Sequence, residues 1–236
     1  MKLGELRPCR IWGRMADTLT DIAPVRPGIY ARGTETVDAI LKAALSVLID
    51  EGAAAFTIRR IASACDMKVG NVSYHFPRKE MLIHVMLDDI VESYDAKLEH
   101  SVRRPDLSAE ERLRIVIIMW LDDISSKRTS NLFTELWALA NQNDFIADKL
   151  KFFYQKVHGL ISLYVRELNP SLNDEDVRIL ALFIITSMEG TMPFLGHKKP
   201  WAANMPAVTA LSAKWLVHLA KTIRPGEIAE LTRTLG

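Results

Sequence analysis

The run TIRRIASACDMKVGNVSYHFPRKEML, residues 57–82, decides how the rest of the chain is read. Thr57 is a residue type that caps helix starts, and Ile58, Ile61 and Ala62 follow it at helical spacing for little more than one turn. The polar CDMK of 65–68 breaks that face. VGNVSYHF (69–76) is a second short helical run with Val72 and Phe76 four residues apart as its buried edge, and Pro77 ends it in a position suited to the first turn of the next helix. On the N-terminal side, Val37, Ile40, Leu41, Ala44, Leu45, Leu48 and Ile49 mark a longer amphipathic helix that Gly52 stops. On the C-terminal side, Leu82, Val85, Met86, Ile90, Tyr94 and Leu98 stripe a long linking helix of about 78–104. Two short helices joined by a tight turn, between two longer ones, are the layout of a helix-turn-helix, whose second short helix enters the major groove of DNA.

The residue types suit that use. The whole chain carries a formal charge of only +1, so any anion-binding surface has to be local. Within 57–80, Arg59, Arg60, Lys68, Arg78 and Lys79 outnumber Asp66 and Glu80. Phosphate recognition needs hydroxyl, imidazole and ammonium donors, and Thr57, Tyr74, His75 and Lys79 place these at the edges of the reading helix. Gly70 leaves room for close backbone approach. A solvated face is the plain alternative for Arg59 and Arg60.

Around this core the chain is an ordinary globular composition, 49% hydrophobic and 25% charged over 236 residues, enough to bury a core without metal or disulfide staples. Cys9 and Cys65 are expected to be reduced thiols. No run of 18 apolar residues and no signal-peptide pattern is present, so a cytoplasmic protein is expected. Residues 1–33 are punctuated by Pro and Gly and lean basic; they read as a flexible arm, either an untethered tail or a strand-tracking extension. Five further helical segments follow at about 108–127, 129–141, 144–168, 173–196 and 204–223, with no β alternation anywhere. The expected fold is all-α with about nine helices: a helix-turn-helix domain over 34–80, a larger helical domain over 81–223 and a tail over 224–236.

The stretch 57–82 resembles the DNA-binding signature of the tetracycline-repressor-like (TetR) transcription regulators. Thr57, Ile61, Ala62, Gly70, Tyr74, His75, Phe76, Lys79, Glu80 and Leu82 fall in register with that family's pattern. Four positions depart from it: Asp66 where the turn often has Gly, Lys68 where Ser or Thr is common, Val69 where a polar residue is frequent, and Ser73 in place of a frequent Tyr. The resemblance implies phosphate contacts from Thr57, Tyr74, His75 and Lys79, and a groove-facing set of Lys68, Val69, Gly70 and Asn71, with Arg59 and Ser73 also on the DNA side. Val69 suits a thymine methyl.

The resemblance further implies that the larger domain dimerises and holds a small-molecule pocket. Helix 173–196 is apolar almost all round after its charged start, and 204–223 has a strong stripe. Ile179, Phe183, Thr186, Leu211, Trp215 and Leu219 are the candidate dimer contacts, monomer core being the alternative. For the pocket, aromatics mixed with lone polar groups single out Met119, Trp120, Ile124, Phe133, Trp137, Asn141, Phe153, His158, Met188 and Glu189, against plain core packing for any of them. Glu189 would take a cationic or hydrogen-bonding ligand, or pair with an arginine across the dimer.

The expected function is a ligand-responsive regulator, a repressor that binds a pseudo-palindromic operator as a homodimer and is released by a small, mostly hydrophobic effector. A helical protein-interaction module, or an activator on the same fold, is the alternative. Catalysis is not expected: the six histidines show no metal-ligand spacing, and no nucleophile elbow, phosphate loop or dinucleotide fingerprint occurs. The sequence calls for no metal or cofactor, and the aspartate pairs 88–89 and 122–123 read as solvated faces.

Overall fold

The computed structural model describes residues 31–102 and 107–234, and its regular structure is all helical. The expected arm lies outside the described residues except for 31–33, which open the first helix; Cys9 lies outside them too. In chain order the helices are α1 (Ala31–Glu51), α2 (Ile58–Ala64), α3 (Val69–His75), α4 (Lys79–Val102), α5 (Ala109–Ser125), α6 (Lys127–Ala140), α7 (Asp144–Leu168), α8 (Asp174–Glu189), α9 (Met192–Leu195), α10 (Met205–Thr222) and α11 (Glu227–Thr234). Short 3-10 turns at Ala53–Ala55 and Ala202–Asn204 join some of them.

These residues form two compact units, each with its own core. The first runs up to Val47 and includes Ala54–Ser93; the second takes Leu48–Ala53 and the chain from Tyr94 onward. The division falls inside α4, later than the boundary expected at residue 80. The reason is burial: Leu82, Ile83, Met86, Leu87 and Ile90 of α4 are as buried as Ile40, Ala44, Ile61, Val72 and Phe76 of the helices before it. Three turns of the long helix therefore help close the first core.

Local chemistry sets the ends. Gly52 ends α1 with φ of 81°, a left-handed conformation that suits glycine, and its N–H reaches Leu48 O. Thr57 caps α2, its hydroxyl accepting from Arg60 N at 3.2 Å. The turn after α2 also needs a left-handed residue, and Asp66 takes it at φ 52°, as a short polar side chain can. Pro77 sits outside α4 rather than in its first turn. The Cys65 thiol is free, and burial pushes its pKa up.

In the second unit α5 is the central helix. Its buried Leu113, Val116, Ile117, Leu121 and Ile124 face α6, α7, α8, α9 and α10. Ser108 and Glu111 form a reciprocal capping box at its start. Asn169 Nδ2 donates to the carbonyls of Ala220 and Ile223, closing the end of α10. Asp176, buried on α8, accepts from Gly226 N at 2.9 Å and so fixes the turn into α11. The expected C-terminal tail is thus helical over Glu227–Thr234.

The expected helix 173–196 is broken. It ends at Glu189, and Gly190 caps it before Pro193 opens the short α9. By length and composition Asp174–Leu195 is apolar enough to cross a membrane, because such a stretch tolerates the charges that interrupt a purely apolar count. Here one face of α8 is instead buried through Val177, Leu180, Ala181, Ile184, Ile185 and Met188.

A Cβ on Gly196 would collide with the Ser130 hydroxyl, itself fully buried, whereas one on Gly159 would meet nothing. Gly196→Ala should therefore cost about 1–3 kcal/mol by overpacking. Gly159→Ala, inside α7, should gain roughly 0.5–1 kcal/mol from helix propensity. Urea midpoints that shift the same way in both variants would contradict this assignment.

Candidate functional site

The first unit presents α3 as a two-sided helix. Val72 and Phe76 point into the core, while Lys68, Val69, Gly70, Asn71 and Tyr74 are exposed. Tyr74 is 82% exposed and Val69 44%, high for residues that a core would have taken in. His75 is half-buried, its ring edge-on to Tyr74 at 5.2 Å. Ser73 is half-buried as well. Lys79, the first residue of α4, and Arg78 before it are exposed, as are Thr57 and Arg59 at the start of α2. Thr57 still has a hydroxyl hydrogen to donate, because its cap bond uses only the oxygen as acceptor. Gly70 has open space where a Cβ would be, so nothing in the chain's own packing requires a glycine there. The structure thus brings the predicted DNA-facing residues together on α3 and its flanks, and it adds Arg78 beside Lys79.

The second unit carries a cavity of about 820 Å³, open to solvent on one side, lined by residues of α6, α7, α8, α9 and the loop after α9. Of the residues expected to form a pocket, Trp137, His158 and Glu189 line it. Trp120 stands behind the lining, where its indole N–H donates to Glu189 Oε1 at 2.7 Å and its ring stacks on Phe153. Phe133 and Phe153 pack together in the core behind, rather than on the lining. Ile124 and Met188 are core residues turned toward other helices, half-buried Met119 is not in the lining, and exposed Asn141 is the C-cap of α6. The reading by residue type misses Tyr154, Gln155, Leu182 and Ile185, and it assigns Thr186 to the dimer contacts although that residue lines the cavity. Their signal is spacing: Lys151, Tyr154, Gln155 and His158 share one face of α7, and Leu182, Ile185, Thr186 and Glu189 share one face of α8.

Glu189 is the acidic group of this lining. Burial pushes its carboxyl pKa up, against the lowering effect of the Trp120 indole and then of the Tyr154 hydroxyl. Tyr154 Oη lies beside the carboxylate but outside hydrogen-bonding geometry, so it acts as a nearby dipole and not as a formed bond. Burial, and then the Glu189 charge, push the Tyr154 pKa up in turn. His158 Nε2 is held by the carbonyl of Arg178 at 2.8 Å. Among the described residues no cluster of three or more His, Cys, Asp or Glu is placed to hold a metal.

Residues 40–86, which span most of the first unit and all of α2 and α3, match the family described as bacterial regulatory proteins, tetR family. That segment is therefore a tetR-type DNA-binding segment. It is similar to an uncharacterized HTH-type transcriptional regulator in the dhlA 5′ region of Xanthobacter autotrophicus, 28% identical over 157 residues, which are 64% of this chain and 75% of that one. Solved TetR-like structures share the fold. The Saccharomonospora viridis protein in complex with choline aligns with a TM-score of 0.67 at 18% identity, over 78% of this chain and 97% of that one. Salmonella enterica GusR aligns with a TM-score of 0.62 at 19% identity, over 80% and 96%. A TetR transcription regulator from Haloarcula marismortui aligns with a TM-score of 0.61 at 19% identity, over 79% and 95%. The sequence match thus covers the helix-turn-helix of the first unit, and the solved structures share the fold around it.

Two predictions follow from these geometries. Tyr74→Ala and Lys79→Ala should weaken binding to all DNA sequences alike, and Lys79→Ala should reduce the slope of log K against log salt by about one. A slope that Lys79→Ala leaves unchanged would remove it from the phosphate-contacting set. The second concerns pH. The raised Glu189 pKa means the folded chain holds this proton to higher pH than the unfolded chain. The stability it contributes is full below the ordinary glutamate value and is lost as pH rises through the raised one. Glu189→Gln removes that loss, so its melting temperature should gain on that of the wild type as pH rises. Melting curves with a constant offset at every pH would show that Glu189 is not desolvated.

Proposed function

We propose that this chain is a TetR-family regulator, a homodimeric, cytoplasmic repressor that binds a pseudo-palindromic operator and leaves it when a small, mostly hydrophobic effector enters the second unit. The observation that carries the reading is the outward face of α3: a short, polar and basic surface around Gly70, Tyr74 and Lys79 that the fold itself does not use. The helix-turn-helix role belongs to residues 34–80, with Lys68, Val69, Gly70 and Asn71 toward the base edges and Thr57, Tyr74, His75 and Lys79 on the backbone. The Val69 methyls fit beside a thymine methyl. Arg59 and Ser73 lie on the same side.

Residues 81–223 take the effector and dimer roles. α8 and α10 each bury one face in their own unit and leave a second apolar face outside. Phe183 is 50% exposed, Leu211 57% and Trp215 54%, with Ile179 and Leu219 half-buried beside them. Bulky apolar residues left open on two helices suit a four-helix contact with a second copy better than the monomer-core alternative. The cavity of about 820 Å³ is of the size that small-molecule sites occupy. Effector binding would act by favouring a dimer state whose reading helices no longer match the half-site spacing.

The test is a mobility-shift titration with DNA from immediately upstream of the chain's own gene, at two salt concentrations and with non-specific competitor. A competitor-resistant shift at both salts is expected. The double variant Phe183→Asp, Leu211→Asp should run as a monomer on sizing and lose that shift. A shift that competitor abolishes would leave only generic backbone affinity, and a variant that remains dimeric would move the dimer contact elsewhere.

A further inference from the structure

We infer that the cavity is built for an organic cation, with an apolar body held between helices and a positive group held at Glu189. The inference rests on reading this cavity as the effector site and names the chemistry of what enters it. The wall is almost entirely apolar, and Glu189 is the acidic group on it. Its position is set from behind by the Trp120 indole on Oε1, so the carboxylate is oriented before any ligand arrives. Beside it, Trp137 and Tyr154 stack at 5.5 Å with their planes 26° apart and line the cavity together. Aromatic faces next to a carboxylate are the surroundings in which a desolvated ammonium or guanidinium is held well.

The electrostatic balance decides between ligand charges. Any body large enough to fill the space strips water from Glu189. A neutral filler would leave an uncompensated carboxylate in an apolar wall, and an anionic one would add repulsion to that loss of water. A cation offsets the dehydration directly. The positive groups on the lining do not fill that role. Lys151 is exposed and keeps its ammonium in water, and Lys199 is half-buried in the loop after α9. The groups that act on Glu189 are its burial, the Trp120 indole and the Tyr154 hydroxyl, with neither lysine among them, and the His158 ring nitrogen is engaged by the Arg178 carbonyl.

The experiment uses three probes with one body and three charges: 4-phenylbutylamine, 4-phenylbutan-1-ol and 4-phenylbutyrate. Each is titrated to millimolar concentration into the full chain near pH 8, with tryptophan fluorescence as the readout. The amine should bind tightest and the carboxylate weakest. Glu189→Gln, which keeps an acceptor for the Trp120 indole, should weaken the amine by on the order of tenfold or more while leaving the alcohol nearly unchanged. Circular dichroism and retention of the DNA shift establish that the variant is folded. Alcohol or carboxylate binding as tight as the amine, or an amine affinity that Glu189→Gln does not move, overturns the cation assignment and leaves the cavity as a ligand site. If none of the three binds, the cavity is not the effector site, and the inference falls with that reading.

Discussion

A helix of seven residues does not hold its shape alone in water, where even good helix formers need about 12–15 residues. α3 is that short, and no side chain caps its start. Its conformation is therefore imposed by two anchors, Val72 and Phe76, which are buried in the first unit together with Ile40, Ile61 and the first turns of α4. Everything outward on α3 follows from that arrangement. The inward positions are committed to packing, so the outward ones are free of it. A glycine at position 70, with open space at its Cβ, weakens the helix by about 1 kcal/mol relative to alanine and gains nothing from the chain's own contacts. A tyrosine at 74 stands almost fully in solvent. Both choices make sense for a surface that another molecule approaches closely, and the regulator reading accounts for both.

The second unit obeys the same logic in a different chemistry. A carboxylate facing an apolar wall lowers stability unless something meets it, and the Trp120 indole satisfies only one of its oxygens. The surrounding helices are otherwise well supplied with local bonds: a capping box at Ser108 and Glu111, asparagine caps at Asn143 and Asn173, and the Asp176 link to Gly226. The unit thus closes its helix ends with care and leaves one acid poorly compensated inside a cavity. Departures from local consistency of this kind concentrate where a protein meets a ligand.

Much of this was legible in the residues because it is encoded by near neighbours. Gly52 and the Thr57 cap are read from positions within a turn of the feature they create, and the 144–168 helix from its own periodicity. The first unit's reading surface is legible for the same reason, since α2, the turn and α3 lie within 20 residues of each other in sequence. The cavity is not of that kind. Its lining depends on which faces of α6, α7 and α8 meet, so residue type alone placed Ile124, Phe133 and Met188 on a wall when they are core, and overlooked Tyr154 one turn from His158. The sequence carries the interruption at Glu189, Gly190 and Thr191, but apolar residues resume at Met192, Phe194 and Leu195, so the segment reads as one helix. The end of α9 depends on a distant residue: the Ser130 hydroxyl lies where a Cβ on Gly196 would be and accepts from His197 N, 67 residues away in sequence.

α8 links the two roles proposed for the second unit. Leu182, Thr186 and Glu189 line the cavity on one side of it, while Phe183, next to Leu182 in sequence, stands half-exposed on the face offered to a second copy. The helix is thin enough that a single residue separates the two surfaces, and close packing on α7 and α5 limits how it can yield. A ligand that binds equally well whatever the position of α8 would change nothing at that face. One that pairs with Glu189 and presses on Leu182 would favour particular positions of the helix, and in the proposed dimer each of those would present Phe183 differently to the partner copy. On the proposed reading, differential affinity would be converted into dimer geometry through α8, and the Glu189 carboxylate would supply the difference in affinity that such a switch requires.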